Sequence, residues 1–256
     1  MTQLEIHQFP CLKDNYGVLV HDEESGVTLS IDAPEADAVR RALDERGWKL
    51  THILVTHHHA DHTAGIAPLK AETGCLVIGP RDEAQRVPNL GRTVAEPDVL
   101  SLGGIEIKVL DTPGHTLGHV TYWIEAAKVA FVGDTLFAMG CGRILEGTPE
   151  MMWQSLKKIA ALPRDTLLYC GHEYTVANAK FGVSIEPDNA ALRERLAEAE
   201  AKRAEGLPTL PTRVDRELDT NVFLRVQRQD VRERVGLPLA GDCKVFADLR
   251  ERKNRF

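Results

Sequence analysis

Four histidines and an aspartate crowd positions 57–62, His57-His58-His59-Ala60-Asp61-His62, immediately behind the apolar run Ile53-Leu54-Val55. Neutral imidazoles and a carboxylate gathered at the end of a buried strand are costly unless they are partnered. A metal ion is a partner that suits all of them. If the chain leaves the strand extended, His57 and His59 point the same way, because side chains alternate with a period of two. One ion can take both. The following Thr63-Ala64-Gly65-Ile66-Ala67-Pro68-Leu69-Lys70-Ala71 permits a helix starting near Asp61, whose first turn would aim Asp61 and His62 at a neighbouring point. The segment thus reads as half of a two-metal site, with a solvated loop or an adventitious metal-binding tract as the alternative.

Around this segment the pattern is that of an α/β protein. Residues 4–9, 16–20 and 27–31 alternate or run apolar and predict three early strands joined by turns. Pro34 opens a helical stretch over 35–46, with Ala38, Val39 and Leu43 on one face and Gly47 as its stop. A strand over 53–55 leads into the histidines, and another is expected over 75–79. Residues 80–96 read as irregular with one helical turn. A second set of strands covers 99–102, 105–110, 120–124 and 129–132. Thr148-Pro149-Glu150 begins a helix whose Met152, Leu156, Ile159 and Leu162 form a core stripe, and a strand follows over 166–170. From about Tyr174 the pattern is helical, above all over 188–205, and no further strand is expected. Strand, helix, strand on this scale indicates an α/β layer.

A chain of 256 residues, 43% hydrophobic and 27% charged, can bury a sizeable core and has a soluble, globular composition. No apolar run approaches the roughly 18 residues of a membrane span. The start Met1-Thr2-Gln3-Leu4-Glu5 has neither a basic region nor an apolar core of the signal type, so a cytoplasmic location is expected. Cys11, Cys75, Cys141, Cys170 and Cys243 are scattered, odd in number and never in CxxC spacing, which argues against a disulfide framework or a thiolate zinc site. The net charge of −7 argues against a nucleic-acid partner. A monomer with no membrane or nucleic-acid partner is the expectation. The last eight residues, 249–256, carry four cationic side chains and one anionic, a candidate anion contact or a solvated surface run.

Three further residues stand where strands end. His115 follows Pro113-Gly114, a turn that would throw it outward; Asp134 follows the apolar run 130–132 and could cap a turn; His172 follows 166–170. Taken singly, His115 and Asp134 each have a structural explanation. Together with His57-His58-His59-Ala60-Asp61-His62 they match more. That stretch is similar to the HxHxDH signature of the metallo-β-lactamase superfamily. Nearly the whole chain resembles one family within it, glyoxalase II (hydroxyacylglutathione hydrolase). The resemblance runs through Asp14-Asn15-Tyr16, Gly133-Asp134-Thr135-Leu136-Phe137, Gly140-Cys141-Gly142-Arg143, Glu146-Gly147-Thr148, Cys170-Gly171-His172-Glu173-Tyr174-Thr175, Glu186-Pro187-Asp188-Asn189 and the basic end.

The resemblance implies a four-layer αββα sandwich over 1–171 and an α-helical, glutathione-substrate-binding domain over 172–256. It implies two divalent ions, zinc ahead of iron or manganese, since spacing does not select among metals with N/O ligands. His57, His59 and His115 would hold the first, Asp61, His62 and His172 the second, with Asp134 bridging. His58 and His119 are read as core histidines or supports behind the ligands; His7, His21 and His52 receive no role. Arg143, Tyr174, Arg250 and Lys253 fall on the family's glutathione-binding positions, which suits a ligand with two carboxylates on an otherwise acidic chain. Leu145 stands where some members have a tyrosine, which puts one hydrogen bond to glutathione in doubt.

The reaction implied is hydrolysis of S-D-lactoylglutathione or a related 2-hydroxyacylglutathione, in the second step of methylglyoxal detoxification. A metal-bridging hydroxide would attack the thioester carbonyl, with Asp61 and Asp134 as catalytic carboxylates. The alternative is a mononuclear iron glutathione persulfide dioxygenase, which shares part of the ligand set but has a shorter helical end. A degenerate, non-enzymatic binding module is disfavoured because all seven metal positions hold ligand residues.

Overall fold

The computed structural model describes residues 4–256; Met1-Thr2-Gln3, read above for the lack of a signal segment, lie outside the described residues. Strands β1 (Leu4–Cys11), β2 (Asn15–Asp22) and β3 (Val27–Ile31) form an antiparallel meander. Helix α1 (Ala36–Arg46) then crosses to β4 (His52–Leu54), which lies parallel to β3. After α2 (Ala60–Thr63) and α3 (Ile66–Thr73), β5 (Leu76–Pro80) and β6 (Arg92–Val94) extend the same six-stranded sheet in parallel. Crossover helices cover such a parallel edge because each needs an apolar surface to bury. Ala38, Val39, Ala42 and Leu43 of α1 and Ile66 and Leu69 of α3 do so, against Phe9, Leu19, Ile53, Val55 and Val77.

Strands β7 (Val99–Leu102), β8 (Ile105–Asp111), β9 (Val120–Ile124) and β10 (Val129–Gly133) make a second antiparallel meander. Two bonds tie β9 to the end of β4: the Tyr122 hydroxyl donates to Val55 O at 2.7 Å, and Val120 N donates to Thr56 O at 2.9 Å. Both anchor the backbone just ahead of the histidine cluster.

The remaining elements are β11 (Leu136–Phe137), β12 (Gly140–Cys141), α4 (Pro149–Ala160), β13 (Leu167–Cys170), α5 (Thr175–Ile185), α6 (Ala190–Ala204), β14 (Thr212–Arg213), α7 (Val214–Thr220), α8 (Gln229–Arg234) and α9 (Asp242–Arg255). The chain divides into two compact units. One comprises the residues up to Asp111 with Leu117–Gly133, the other Thr112–Thr116 with Asp134–Phe256. In the second unit the Trp153 ring of α4 stacks on Phe246 of α9 at 5.9 Å, and Phe223 meets Phe246 edge-on at 6.1 Å.

Four local expectations change. The helix near Asp61 is two helices, because at Gly65 the backbone docks closely on the 33–36 segment: Gly65 N donates to Ala33 O at 2.8 Å, and a Cβ there would meet Ala36 N at 2.7 Å. Residues 80–96 contain β6 as well as a helical turn. The hairpin of β11 and β12 had no alternation to announce it. The helical C-terminal stretch includes one short strand, β14, paired with β13 through Leu167 and Leu168.

Candidate functional site

In the first unit, β4 ends at Leu54, Thr56 lies in a bend, and the irregular residues 57–59 lead into α2 at Ala60, so strand alternation does not extend through the histidines. The His57 ring lies 4.8 Å from that of His59, nearly perpendicular to it, and 4.1 Å from that of His62. His119 is fully buried and stacks on His57 at 4.9 Å. Asp61 is steadied by the buried Asn15, whose Nδ2 donates to Asp61 O at 3.1 Å and to Asp61 Oδ2 at 3.3 Å. Asn15, the first residue of β2, thus ties the Asp14-Asn15-Tyr16 segment to the histidine cluster.

Two carboxylates behind the histidines escaped the sequence reading. Asp32, at the end of β3, accepts Thr56 N at 2.7 Å, Thr56 Oγ1 at 2.8 Å and His62 Nδ1 at 2.7 Å. The Thr56 hydroxyl donates to Asp32, so it accepts from His57 Nδ1 at 3.0 Å. One buried acid thus puts the ring proton of both His57 and His62 on Nδ1 and leaves Nε2 as the base, the tautomer a metal needs. Glu83, also buried, accepts His58 N at 2.6 Å, His58 Nδ1 at 2.7 Å and Gly118 N at 3.0 Å. His58 thus bonds to Glu83, but its ring also lies 4.8 Å from that of His59, as near as the His57 ring does, so strict strand alternation does not turn it away from both neighbours. Neither acid lies in a periodic pattern; the only signal was an acid at the end of an apolar strand, Ile31-Asp32.

Gly133 sits where β10 passes this cluster. Its φ is +47°, and a Cβ would meet His119 Nε2 at 2.6 Å and Thr56 Oγ1 at 2.7 Å. Both facts demand glycine.

In the second unit, Asp134 Oδ2 lies 3.5 Å from His115 Nε2 and 3.3 Å from His172 Nε2. His115 Nδ1 donates to Arg143 O at 2.9 Å, which fixes the same tautomer as in the first unit. Helix α4 backs the turn that carries His115, since Ser155 Oγ donates to Pro113 O at 2.7 Å. The Tyr174 ring stacks on His172 at 4.8 Å and 5°, and Phe137 meets both rings edge-on. A cavity of about 440 Å³ opens here, lined by His115, Asp134, Phe137, Cys141, Arg143, Tyr174, Arg250 and Lys253 among others.

Its cations differ in setting. Arg250 is buried and donates from Nη1 to Cys141 O at 2.7 Å, its guanidinium 5.2 Å from the Phe223 ring centroid. Lys253 Nζ donates to Ala177 O at 3.2 Å. Burial, then the charges of Arg250 and Arg143, push the Lys253 ammonium below its usual pKa. Burial raises the Cys141 thiol, offset in part by Arg250, so it stays protonated and is a poor nucleophile. All five cysteines are free thiols. Leu145 is exposed.

Each unit thus groups donors of one kind: His57, His59, Asp61 and His62 in the first, His115, Asp134 and His172 in the second. Nitrogen and carboxylate donors without thiolates suit borderline divalent metals.

A family model of the metallo-β-lactamase superfamily matches residues 25–172, and one of the hydroxyacylglutathione hydrolase C-terminus matches 173–256. A hydroxyacylglutathione hydrolase of Rhodopseudomonas palustris (strain BisB18) is 53% identical over 251 residues, covering 98% of each chain. One of Rhizobium meliloti (strain 1021) is 50% identical over the full length of both. Among solved structures, ETHE1 from Myxococcus xanthus superposes with a TM-score of 0.70 at 24% identity, covering 98% of this chain and 91% of its own. That likeness shows the fold: a metallo-β-lactamase α/β sandwich with a helical C-terminal region.

Proposed function

The chain belongs to the hydroxyacylglutathione hydrolase family of the metallo-β-lactamase superfamily, and on that basis we propose that it hydrolyses S-D-lactoylglutathione, or a related 2-hydroxyacylglutathione, to the hydroxy acid and glutathione. This would be the second step of methylglyoxal detoxification. The persulfide dioxygenase alternative is not favoured, because relatives 53% and 50% identical over essentially their whole length bear the hydrolase name.

We assign His57, His59 and His115 to one divalent ion, Asp61, His62 and His172 to a second, and Asp134 to both. The donor set fits them, since His57, His62 and His115 each hold their ring proton on Nδ1 and offer Nε2. When bound, such ions, zinc ahead of iron or manganese, supply a deprotonated water near neutral pH and a Lewis acid for the oxyanion. Asp61, held by Asn15, orients the attacking water. Glutathione leaves as the thiol and the acyl group as the carboxylic acid, with one water consumed and no protein nucleophile; Cys141 stays a protonated bystander.

Arg143, Tyr174, Arg250 and Lys253 hold the glutathione moiety, whose two carboxylates match the cations. Residues 1–171 are the catalytic part and 172–256 the substrate-binding part of a cytoplasmic monomer in this reading. No helix among the described residues is long and apolar enough to cross a membrane.

One observation carries the reading. The same cavity is lined by the metal-type ligands His115 and Asp134 and by the cations Arg143, Arg250 and Lys253, so a glutathione held by its carboxylates would place its thioester beside the ligands. The test is hydrolysis of S-D-lactoylglutathione by purified protein with metal content measured on the same sample. Turnover with about two metals per chain, lost on chelation and restored by zinc, is expected. Metal-replete protein that leaves this thioester intact would sink the proposal.

A further inference from the structure

The hairpin of β11 and β12 stands between Asp134 and Arg143 in the chain, and supplies Phe137 and Cys141 to the cavity. It is wholly buried, and its tip residue Met139 has a φ of +56°, a conformation that a non-glycine residue keeps only where its surroundings dictate it. Those surroundings are side chains of the helical region. Asn178 Nδ2 donates to Ala138 O at 3.2 Å; Asn221 Nδ2 donates to Gly140 O at 2.9 Å and to Phe137 O at 3.4 Å. Met139 N donates to Glu217 Oε2 at 2.8 Å.

Glu217 is fully buried and every partner it has here is a donor. Oε2 also accepts Asn221 Nδ2 at 2.9 Å; Oε1 accepts Arg195 Nη2 and, at 2.6 Å, the hydroxyl of Thr212. Arg195, itself buried, is fixed further by Thr212 and Thr220. A buried ion pair is a weak source of stability but a strict geometric constraint. Here the constraint falls on the wall of the cavity.

We propose that Glu217 is a positioning residue for glutathione binding: its carboxylate, anchored by Arg195, clamps the Phe137–Cys141 hairpin. The clamp holds Phe137 against His172 and Tyr174, and the Cys141 carbonyl in reach of Arg250. The ligand named rests on the function proposed above, whereas the clamp itself does not.

The chemistry dictates the variant. In Glu217→Gln an NH2 group must face donors at one end or the other, and the guanidinium of Arg195 will retain the remaining oxygen. The amide then confronts Met139 N–H and Asn221, which releases the hairpin. Two readouts are taken on intact protein: hydrogen exchange of the 137–141 amides without ligand, and glutathione affinity by calorimetry beside KM and kcat. Exchange over 137–141 should accelerate at least tenfold relative to the rest of the chain. The Kd for glutathione and KM should rise about tenfold, with kcat falling by much less. Asn221→Ala, which removes hairpin bonds without leaving Arg195 unpaired, should reproduce this signature and serves where the first variant does not fold. A folded variant with wild-type exchange at 137–141 and wild-type Kd overturns the proposal, as does loosening spread evenly over the molecule with Kd unchanged. Wild-type protein that binds no glutathione would defeat the function reading instead, and the exchange arm would still decide the clamp.

Discussion

Asp32 is a single buried carboxylate that governs two of the expected ligands, His62 directly and His57 through the Thr56 hydroxyl. Both of its oxygens accept from donors only, so Asp32→Asn forces an amide NH2 against a donor and removes the charge that favours the Nδ1–H tautomers. Losses of about 10- to 100-fold in metal affinity are expected from such a change. Competition against a chromophoric chelator measures it, and an unchanged midpoint would show that the tautomers are set by other contacts. The histidine cluster is visible in the sequence as a dense run, but alternation alone does not sort its members: His57 and His58 both bring their rings to 4.8 Å from His59, and what sets His58 apart is its bond to Glu83. Asp32 and Glu83 are not visible there, since each acts on partners at least 24 residues away and a lone acid carries no period. Arg250 lies between these cases. Its position was marked by resemblance, but its burial and its bond to the Cys141 carbonyl follow only from the packing of α9.

Elements with a regular pattern came through well, and the reason is visible in α4. Thr148 Oγ1 accepts Met151 N at 3.3 Å, Pro149 takes the first helical position, and Met152, Leu156 and Ile159 are buried at helical spacing. Removing the cap costs about 1 kcal/mol, so Thr148→Ala should lower Tm by roughly 2–4 °C in a chain of this size. Thermal unfolding followed by circular dichroism tests this, and a Tm equal to wild type would mean that water serves the first turn as well as the threonine does. Where the structure departs from the local sequence pattern, packing outweighs it. The break at Gly65 exists because the backbone of residues 33–36 approaches there. The two-residue strands β11, β12 and β14 are too short to show alternation, and exist only through their partners.

At the scale of the molecule, a chain of net charge −7 gathers Arg143, Arg250 and Lys253 about one cavity. Like charges there oppose one another in the absence of an anion. Lys253 registers this: burial first, then Arg250 and Arg143, hold its pKa below the ordinary lysine value. The sign of the linkage follows. Between the lowered folded value and the ordinary unfolded one, the unfolded chain binds more protons, so stability rises with pH across that window; at lower pH the protonated ammonium is a net cost to the fold. Lys253→Met should therefore raise the Tm of the unliganded protein at neutral pH, and the gain should shrink as pH climbs through the window. If Lys253 holds the glutathione moiety as proposed, the same substitution should also raise KM about tenfold by removing one charge-assisted contact. It should also remove an alkaline rise in wild-type KM that sets in below the pH at which an ordinary lysine discharges. Tm and KM measured from pH 7 to 10 on both proteins test the two effects together. A variant less stable than wild type at pH 7, with KM unchanged, would show that Lys253 serves the fold through its seat over the Phe181 and Phe256 rings and not the ligand. Crowding cations that cost stability on their own, and regain it only against an anion, are what the proposed binding of a dicarboxylate ligand to an acidic protein would require.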